Sequence, residues 1–71
     1  MYSIYHIPEA SQCYLDGEAV EHYISAQDAT RYMLDHLSEH PGARGRYEVR
    51  DTHTGQLWRT RTVQQIRAVA R

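Results

Sequence analysis

Lysine, asparagine and phenylalanine are absent from this chain of 71 residues, and cysteine occurs once, at Cys13. A single cysteine excludes an internal disulfide and is compatible with a reducing compartment. No apolar run approaches the roughly 20 residues of a membrane-spanning helix, and the first residues lack the composition of a signal peptide. We therefore expect a cytoplasmic protein without a membrane partner.

Positive charge is scarce before residue 41. Residues 1–40 contain seven carboxylates and one arginine, Arg31, for a formal charge of −6. Residues 41–71 contain seven arginines and two carboxylates, for a formal charge of +5. The net charge of −1 conceals this division, which is typical of a surface directed at a charged partner.

The exclusive use of arginine as the strong base has two explanations. Arginine suits bidentate recognition of phosphate or carboxylate better than lysine does. The codon usage of a GC-rich bacterial or phage genome would also deplete lysine, asparagine and phenylalanine. Either way, we expect one small domain over residues 1–71 with a thin core, because a chain this short buries only about 60% of its unfolded surface.

The first part of the chain predicts β-strands. Residues 2–7 are β-branched and aromatic, and Pro8 ends the strand. Residues 12–15 and 18–24 flank Asp16-Gly17, a pair typical of tight hairpin turns. The hairpin places four side chains on its core face: Cys13, Leu15, Val20 and Ile24.

Residues 17–24 also fit a second interpretation. Apolar residues in this stretch recur at helical spacing, and Asp16 is a suitable cap for a helical turn. The sequence favours the hairpin and leaves the helical turn as an alternative.

Residues 26–40 predict the main helix. Ser25 and Asp28 match a relaxed capping box at its start. Pro41-Gly42 ends it. The apolar positions follow helical spacing: Ala26, Ala29, Met33 and Leu37.

A second hairpin is predicted between residues 44 and 62. Strands 44–51 and 56–62 flank a four-residue loop that ends at Gly55. This loop length places two pairs of core-facing side chains opposite each other: Val49 with Trp58, and Tyr47 with Thr60. The last helix follows, with Thr62 and Gln65 as a capping box and with inner positions Val63, Ile66 and Ala70.

The predicted fold is therefore α+β. It has a small antiparallel β-sheet, made of two hairpins and the N-terminal strand. The main helix packs on one face of the sheet, and a short C-terminal helix ends the chain. The predicted element order is β-β-β-α-β-β-α.

Two motifs that resemble catalytic sites are rejected. His36, Glu39 and His40 form the string H-x-x-E-H of inverted zinc metallopeptidases. Those enzymes need a further distant ligand and a large cleft, and this string lies at a helix end. Cys13 would need an adjacent base to act as a nucleophile, and the hairpin places it on the core face. We expect no enzyme, and we predict no catalytic residue, metal ligand or cofactor.

An acidic surface interleaved with tyrosines is the leading candidate site. Tyrosine gives rigid, amphipathic contact area, which suits a protein interface. Such a surface can occupy the basic groove of a nucleic-acid-handling protein. Small phage inhibitors, including anti-CRISPR proteins that imitate DNA, provide the concrete hypothesis by analogy of class. The predicted contact residues are Glu9, Tyr14, Asp16, Glu18, Glu21, Tyr23 and Asp35.

The arginine-rich hairpin, residues 44–61, is the alternative site. A two-stranded ribbon with arginines on one face can lie along the phosphates of a nucleic acid or bind another anionic partner. Glu48, predicted opposite Arg59, neutralises part of this face, and a solvated outer face would show the same pattern. The two charged halves would also permit a homodimer. The predicted arginine face comprises Arg44, Arg46, Arg50, Arg59 and Arg61.

Overall fold

The structure is a computed structural model and describes residues 1–9, 15 and 17–69. Four strands form one antiparallel sheet in the order β2-β1-β3-β4, and a 3₁₀ turn over Ala26–Asp28 leads into the main helix. This arrangement confirms the α+β class. The elements are β1 (Tyr2–Ile7), β2 (Glu18–Ile24), α1 (Ala29–Glu39), β3 (Arg46–Asp51), β4 (Leu57–Thr62) and α2 (Val63–Val69).

One face of the sheet carries the core. The central strands β1 and β3 contribute Ile4, Tyr47 and Val49, and both helices pack against these side chains. The predicted inner positions within α1 and α2 are confirmed where the structure describes them, whereas Ala26 lies in the 3₁₀ turn and is only half-buried, and Ala70 lies outside the described residues. The buried helical side chains are Ala29, Met33, Leu37, Val63 and Ile66.

The predicted first hairpin is confirmed only in its second strand. Residues 18–24 form β2, so the helical alternative is wrong, and β2 pairs with β1. The other predicted strand, 12–15, and the turn residue Asp16 lie outside the described residues, apart from Leu15. The Leu15 side chain is 73% exposed, so its predicted place on the core face is wrong.

Strand β2 does not follow the predicted alternation. The register between β1 and β2 shifts twice, so that Ile4 lies opposite Glu21 and Tyr2 lies opposite Ile24. Each shift inserts one extra residue into β2, as a β-bulge does. Residues opposite each other share a face. Glu21 therefore lies on the same face as Ile24, where simple alternation had placed it on the other.

The second hairpin keeps its predicted register only beside the loop. Gly55 has a φ of 75° and donates its N–H to the carbonyl of Asp51 at 2.8 Å, as a loop with a final glycine requires. Arg50 still lies opposite Leu57. Beyond it the register shifts by one residue, because Trp58 is an extra residue on β4.

This shift corrects both predicted core pairs. Val49 lies opposite Arg59, and Tyr47 lies opposite Arg61. Trp58 is 40% exposed and Thr60 is also exposed, so neither is a core residue. Strand β4 is therefore an edge strand with every side chain exposed.

The two predicted capping boxes have different outcomes. At α2, Thr62 donates its N–H to Gln65 Oε1 at 2.8 Å, and Gln65 donates its N–H to Thr62 Oγ1 at 3.1 Å, which confirms the box. At the 3₁₀ turn, Ser25 Oγ instead donates to Asp28 Oδ2 at 3.0 Å, and Ser25 makes no side-chain cap to a backbone N–H. Within residues 1–9, 15 and 17–69, no helix has the length and apolar character needed to cross a membrane.

Candidate functional site

Because of the strand order, the acidic and basic halves of the sequence lie on opposite sides of the sheet. Strands β2 and β1 from the acidic half lie side by side, and β3 and β4 from the basic half continue the sheet on the other side. Helix α1 contacts β2, and α2 contacts β4. We call β2 with the exposed side of α1 the acidic edge, and β4 with α2 the basic edge.

Four of the predicted acidic-surface residues lie on the acidic edge. Glu18, Tyr23 and Asp35 are exposed, and Glu21 is half-buried. Glu21 Oε1 accepts the backbone N–H of His22 at 3.1 Å. Within the described part of the chain, none of the three carboxylates forms an ion pair. Arg31, which is also exposed on α1, interacts electrostatically with Asp35 and is the one arginine in the acidic half of the sequence.

The other three predicted residues do not join this group. Glu9 is exposed and lines a groove together with Arg44 and Arg46, so it lies beside the basic part of the chain. Tyr14 and Asp16 lie outside the described residues.

Tyr23 combines exposure with an unfavourable backbone conformation. Its side chain is 65% exposed, and its φ of 61° lies in the left-handed region. This region costs a non-glycine residue on the order of 1 kcal/mol or more, and such residues concentrate at functional sites. Glycine would adopt this conformation without that cost.

The predicted arginine face is divided between the two faces of the sheet. Arg59 and Arg61 lie opposite Val49 and Tyr47 and therefore share the helix-covered face, at its open edge. Arg46 and Arg50 belong to the other face, because they alternate with Tyr47 and Val49 along β3. Arg44 precedes β3 and is exposed. The prediction that all five share one face is wrong, because it assumed no bulge at Trp58.

Arg46 and Arg50 are held by Glu48. Arg46 Nε lies 2.8 Å from Glu48 Oε2, and Arg50 Nη2 lies 2.6 Å from Glu48 Oε1. Glu48 is only 6% exposed. Burial raises the pKa of Glu48, but the hydrogen bonds from both arginines outweigh it, and the net pKa is below its ordinary value. Glu48 was predicted to neutralise Arg59; it neutralises its neighbours on β3 instead.

A small aromatic and cationic cluster lies at the basic edge. The Trp58 ring is 5.2 Å from the Tyr2 ring, and the Arg59 guanidinium lies 4.3 Å above the Trp58 ring. Arg61 Nη1 donates to the carbonyl of Thr60 at 2.7 Å. The sequence analysis missed this cluster, since it placed Trp58 in the core.

A histidine cluster lies where β1 meets the end of α1. The His36 ring is 5.1 Å from the His6 ring and 4.6 Å from the His40 ring. The hydroxyl of buried Tyr47 hydrogen bonds His36 Nδ1 at 2.7 Å, and the His6 Nε2–H donates to the carbonyl of Arg44 at 2.7 Å. The helical pair was visible as the H-x-x-E-H string, but nothing in the sequence connected His6 to it.

The surroundings of His36 favour its neutral form. Burial lowers the pKa of His36, and the neighbouring His6 and His40 lower it further. Burial raises the pKa of Tyr47 to about 12, so its hydroxyl keeps its proton. Two carboxylates act in the opposite direction on His36, those of Glu18 and Glu39.

The cluster opens into a groove of about 450 Å³, which Glu18 and Glu39 also line. Among residues 1–9, 15 and 17–69, no group of three or more histidine, cysteine or carboxylate side chains has an arrangement that could hold a metal ion. The groove therefore joins titratable imidazoles to two carboxylates, one of which, Glu18, belongs to the acidic edge.

No family model, no curated protein and no solved structure matches the chain. Function is therefore inferred from three features of the molecule: the acidic edge, the basic edge and the histidine cluster.

Proposed function

We propose that the protein is a non-enzymatic interaction module that binds a basic protein partner through its acidic edge. The observation that carries the proposal is the separation of charge by the sheet order. The carboxylates of Glu18 and Glu21 on β2 and of Asp35 on α1 form no ion pairs with described residues. Complementary charge of this kind accelerates association with a basic surface and orients it.

The two register shifts in β2 support the proposal. Glu18 lies opposite His6 and Glu21 lies opposite Ile4, two residues apart on β1. The two glutamates therefore project from the same face, about 7 Å apart along the strand. Without the shifts, simple alternation would direct them to opposite faces. The two register shifts therefore place the carboxylates of Glu18 and Glu21 together, beside α1.

Tyr23 supports a protein partner in particular. It is exposed on the acidic edge in a conformation that favours glycine. Tyrosine is enriched at protein interfaces because it buries a large ring with few rotatable bonds. The finer form of the proposal is an inhibitor of phage type that occupies the basic groove of a nucleic-acid-handling protein in the cytoplasm.

The test uses a fluorescent oligoarginine peptide as the basic probe, with binding measured by fluorescence anisotropy at about 50 mM salt, where exposed charges are weakly screened. We expect the double variant Glu18→Gln, Glu21→Gln to weaken binding about tenfold, or about 1.4 kcal/mol. The matched control Arg59→Gln, Arg61→Gln removes two charges from the basic edge and should bind at least as well as the natural chain. Equal binding by the Glu18→Gln, Glu21→Gln variant would refute the proposal.

Direct binding of nucleic acid through the basic edge is the second candidate. The stacked and exposed Trp58 and Arg59 favour it, because single-stranded nucleic acids bind aromatic side chains and arginines together. Labelled single-stranded RNA and duplex DNA are the probes. This candidate requires binding that falls steeply between about 50 and 200 mM salt and is lost on Arg59→Gln, Arg61→Gln. No binding at the lower salt concentration would exclude it.

A further inference from the structure

The histidine cluster lies directly against the acidic edge. Glu18 of β2 and Glu39 of α1 line the same groove as His6, His36 and His40. When all three imidazoles are neutral, this groove has two negative charges. When they are protonated, the same groove has a formal charge of +1. The cluster can therefore reverse the sign of charge at one end of the acidic edge.

His36 is the centre of the cluster and is surrounded by groups from several elements. The Tyr47 hydroxyl bonds one ring nitrogen and remains neutral over the physiological range. The charge of Arg67, in α2, lowers the pKa of Tyr47, against the larger effect of burial. Arg44 contacts His6 through its backbone carbonyl, which accepts the His6 Nε2–H. The titratable groups that face His36 are His6 of β1, Glu18 of β2, Tyr47 of β3, and Glu39 and His40 of α1.

The ring distances couple the three protonations. Two unit charges about 5 Å apart near a protein surface repel by a few kcal/mol at an effective dielectric constant of 20, so each proton opposes the next. The two carboxylates favour the first proton, and burial of His36 disfavours it.

We propose that the histidine cluster is a proton-controlled regulator of the acidic edge, which weakens its binding of a basic partner as the pH falls. Each proton gained by His6, His36 or His40 cancels negative charge from Glu18 and Glu39. A bound cation excludes protons from the cluster by the same linkage. The inference rests on the proposed function, since it names the regulation of that same surface.

If the histidine cluster is the regulator, the pH dependence of binding should require the histidines of the cluster. His6 and His40 flank His36 and are replaceable by glutamine, which keeps a donor for the carbonyl of Arg44. His36 is retained because its ring bonds the buried Tyr47 hydroxyl. His53, in the loop between β3 and β4, lies outside both the cluster and the acidic edge and provides a control histidine.

The experiment measures oligoarginine binding at about pH 7.5 and again at about pH 5.5, on either side of the ordinary histidine pKa. The natural chain should lose about tenfold in affinity between the two pH values, because up to three positive charges appear beside Glu18. His6→Gln, His40→Gln should lose no more than about twofold over the same interval. His53→Gln should keep most of the loss seen in the natural chain.

The outcomes separate the two proposals. An equal loss of affinity in the natural chain and in His6→Gln, His40→Gln would overturn the regulator and leave the proposed function intact. A natural chain that does not bind the peptide at the higher pH would overturn the proposed function, and the regulator with it. As a second readout, the His36 ring signals in an NMR titration should report a higher pKa in His6→Gln, His40→Gln than in the natural chain. An unchanged midpoint would contradict the coupling.

Discussion

The charged side chains of the basic and acidic halves of the chain make different contacts. On the basic side, Arg46 and Arg50 bind Glu48, Arg59 lies over Trp58, and Arg67 donates to two backbone carbonyls. On the acidic edge, Glu18 and Asp35 make no comparable contacts with described residues. Much of the positive charge therefore takes part in contacts within the fold, whereas the carboxylates of Glu18 and Asp35 are exposed without an ion pair to a described residue.

The backbones of the two edge strands also differ, because β2 is more irregular than β4. Strand β4 has one register shift in its pairing with β3, and its extra residue Trp58 contacts Tyr2. Strand β2 has two shifts and a tyrosine in the left-handed conformation. Irregularity of this kind protects an edge strand from non-specific pairing. It also changes the direction in which side chains project. On β2, it directs glutamates to one face.

The largest effect is expected from Glu48→Gln, which tests the structural role of the basic side. The variant leaves Arg46 and Arg50 without their carboxylate, and their side chains are only 28% and 19% exposed. We expect a loss of about 2–3 kcal/mol in the free energy of unfolding, measured with urea. Glu18→Gln is the matched control and should change stability by less than about 0.5 kcal/mol. Similar values for the two variants would remove the distinction between structural and available charge.

A smaller effect, of opposite sign, is expected from Tyr23→Gly on the acidic edge. Glycine accepts the φ of 61° without strain. The free energy of unfolding should rise by about 0.5–1 kcal/mol while oligoarginine binding weakens. Tyr32→Gly would lower stability instead, because Tyr32 lies in α1, where glycine is unfavourable. A Tyr23→Gly variant that gains no stability would contradict the strain at this position, and one that binds as well as the natural chain would contradict the assignment of Tyr23 to the interface.

The smallest effect is the pH dependence of stability that His36 confers. Its pKa is lowered in the folded protein by burial and by the two adjacent imidazoles. The unfolded chain therefore binds more protons near pH 6, and stability falls as the pH drops below the ordinary histidine value. Urea unfolding at several pH values should show this decline, and His36→Gln should flatten it. Stability that rises on acidification through this range would contradict the sign.

Sequence reasoning succeeded where the determinants were local. The α2 capping box depends on Thr62 and Gln65, three residues apart, and the loop ending at Gly55 depends on one left-handed residue. The strand β1 and the main helix follow from propensity and periodicity. The division of charge was also visible, although its placement at opposite edges required the strand order.

Sequence reasoning failed where the determinants were not local. A bulge leaves no trace in a pattern of period two, so Trp58 was assigned to the core and five arginines were assigned to one face. The histidine cluster joins His6 to His36 across thirty positions of chain. No spacing rule connects a strand residue to a helix residue at that separation, so the cluster emerges only when α1 packs on the sheet.

The most direct test of the central claim is an NMR map of the site at which the oligoarginine peptide binds. The chain is labelled with ¹⁵N and titrated with the unlabelled peptide at about 50 mM salt, where screening is weak. We predict that the backbone amides of Glu18 to Tyr23 and the exposed side of α1 shift, while those of β4 do not. Shifts confined to β4, or shifts spread evenly over the surface, would contradict the assignment of the acidic edge as the partner site.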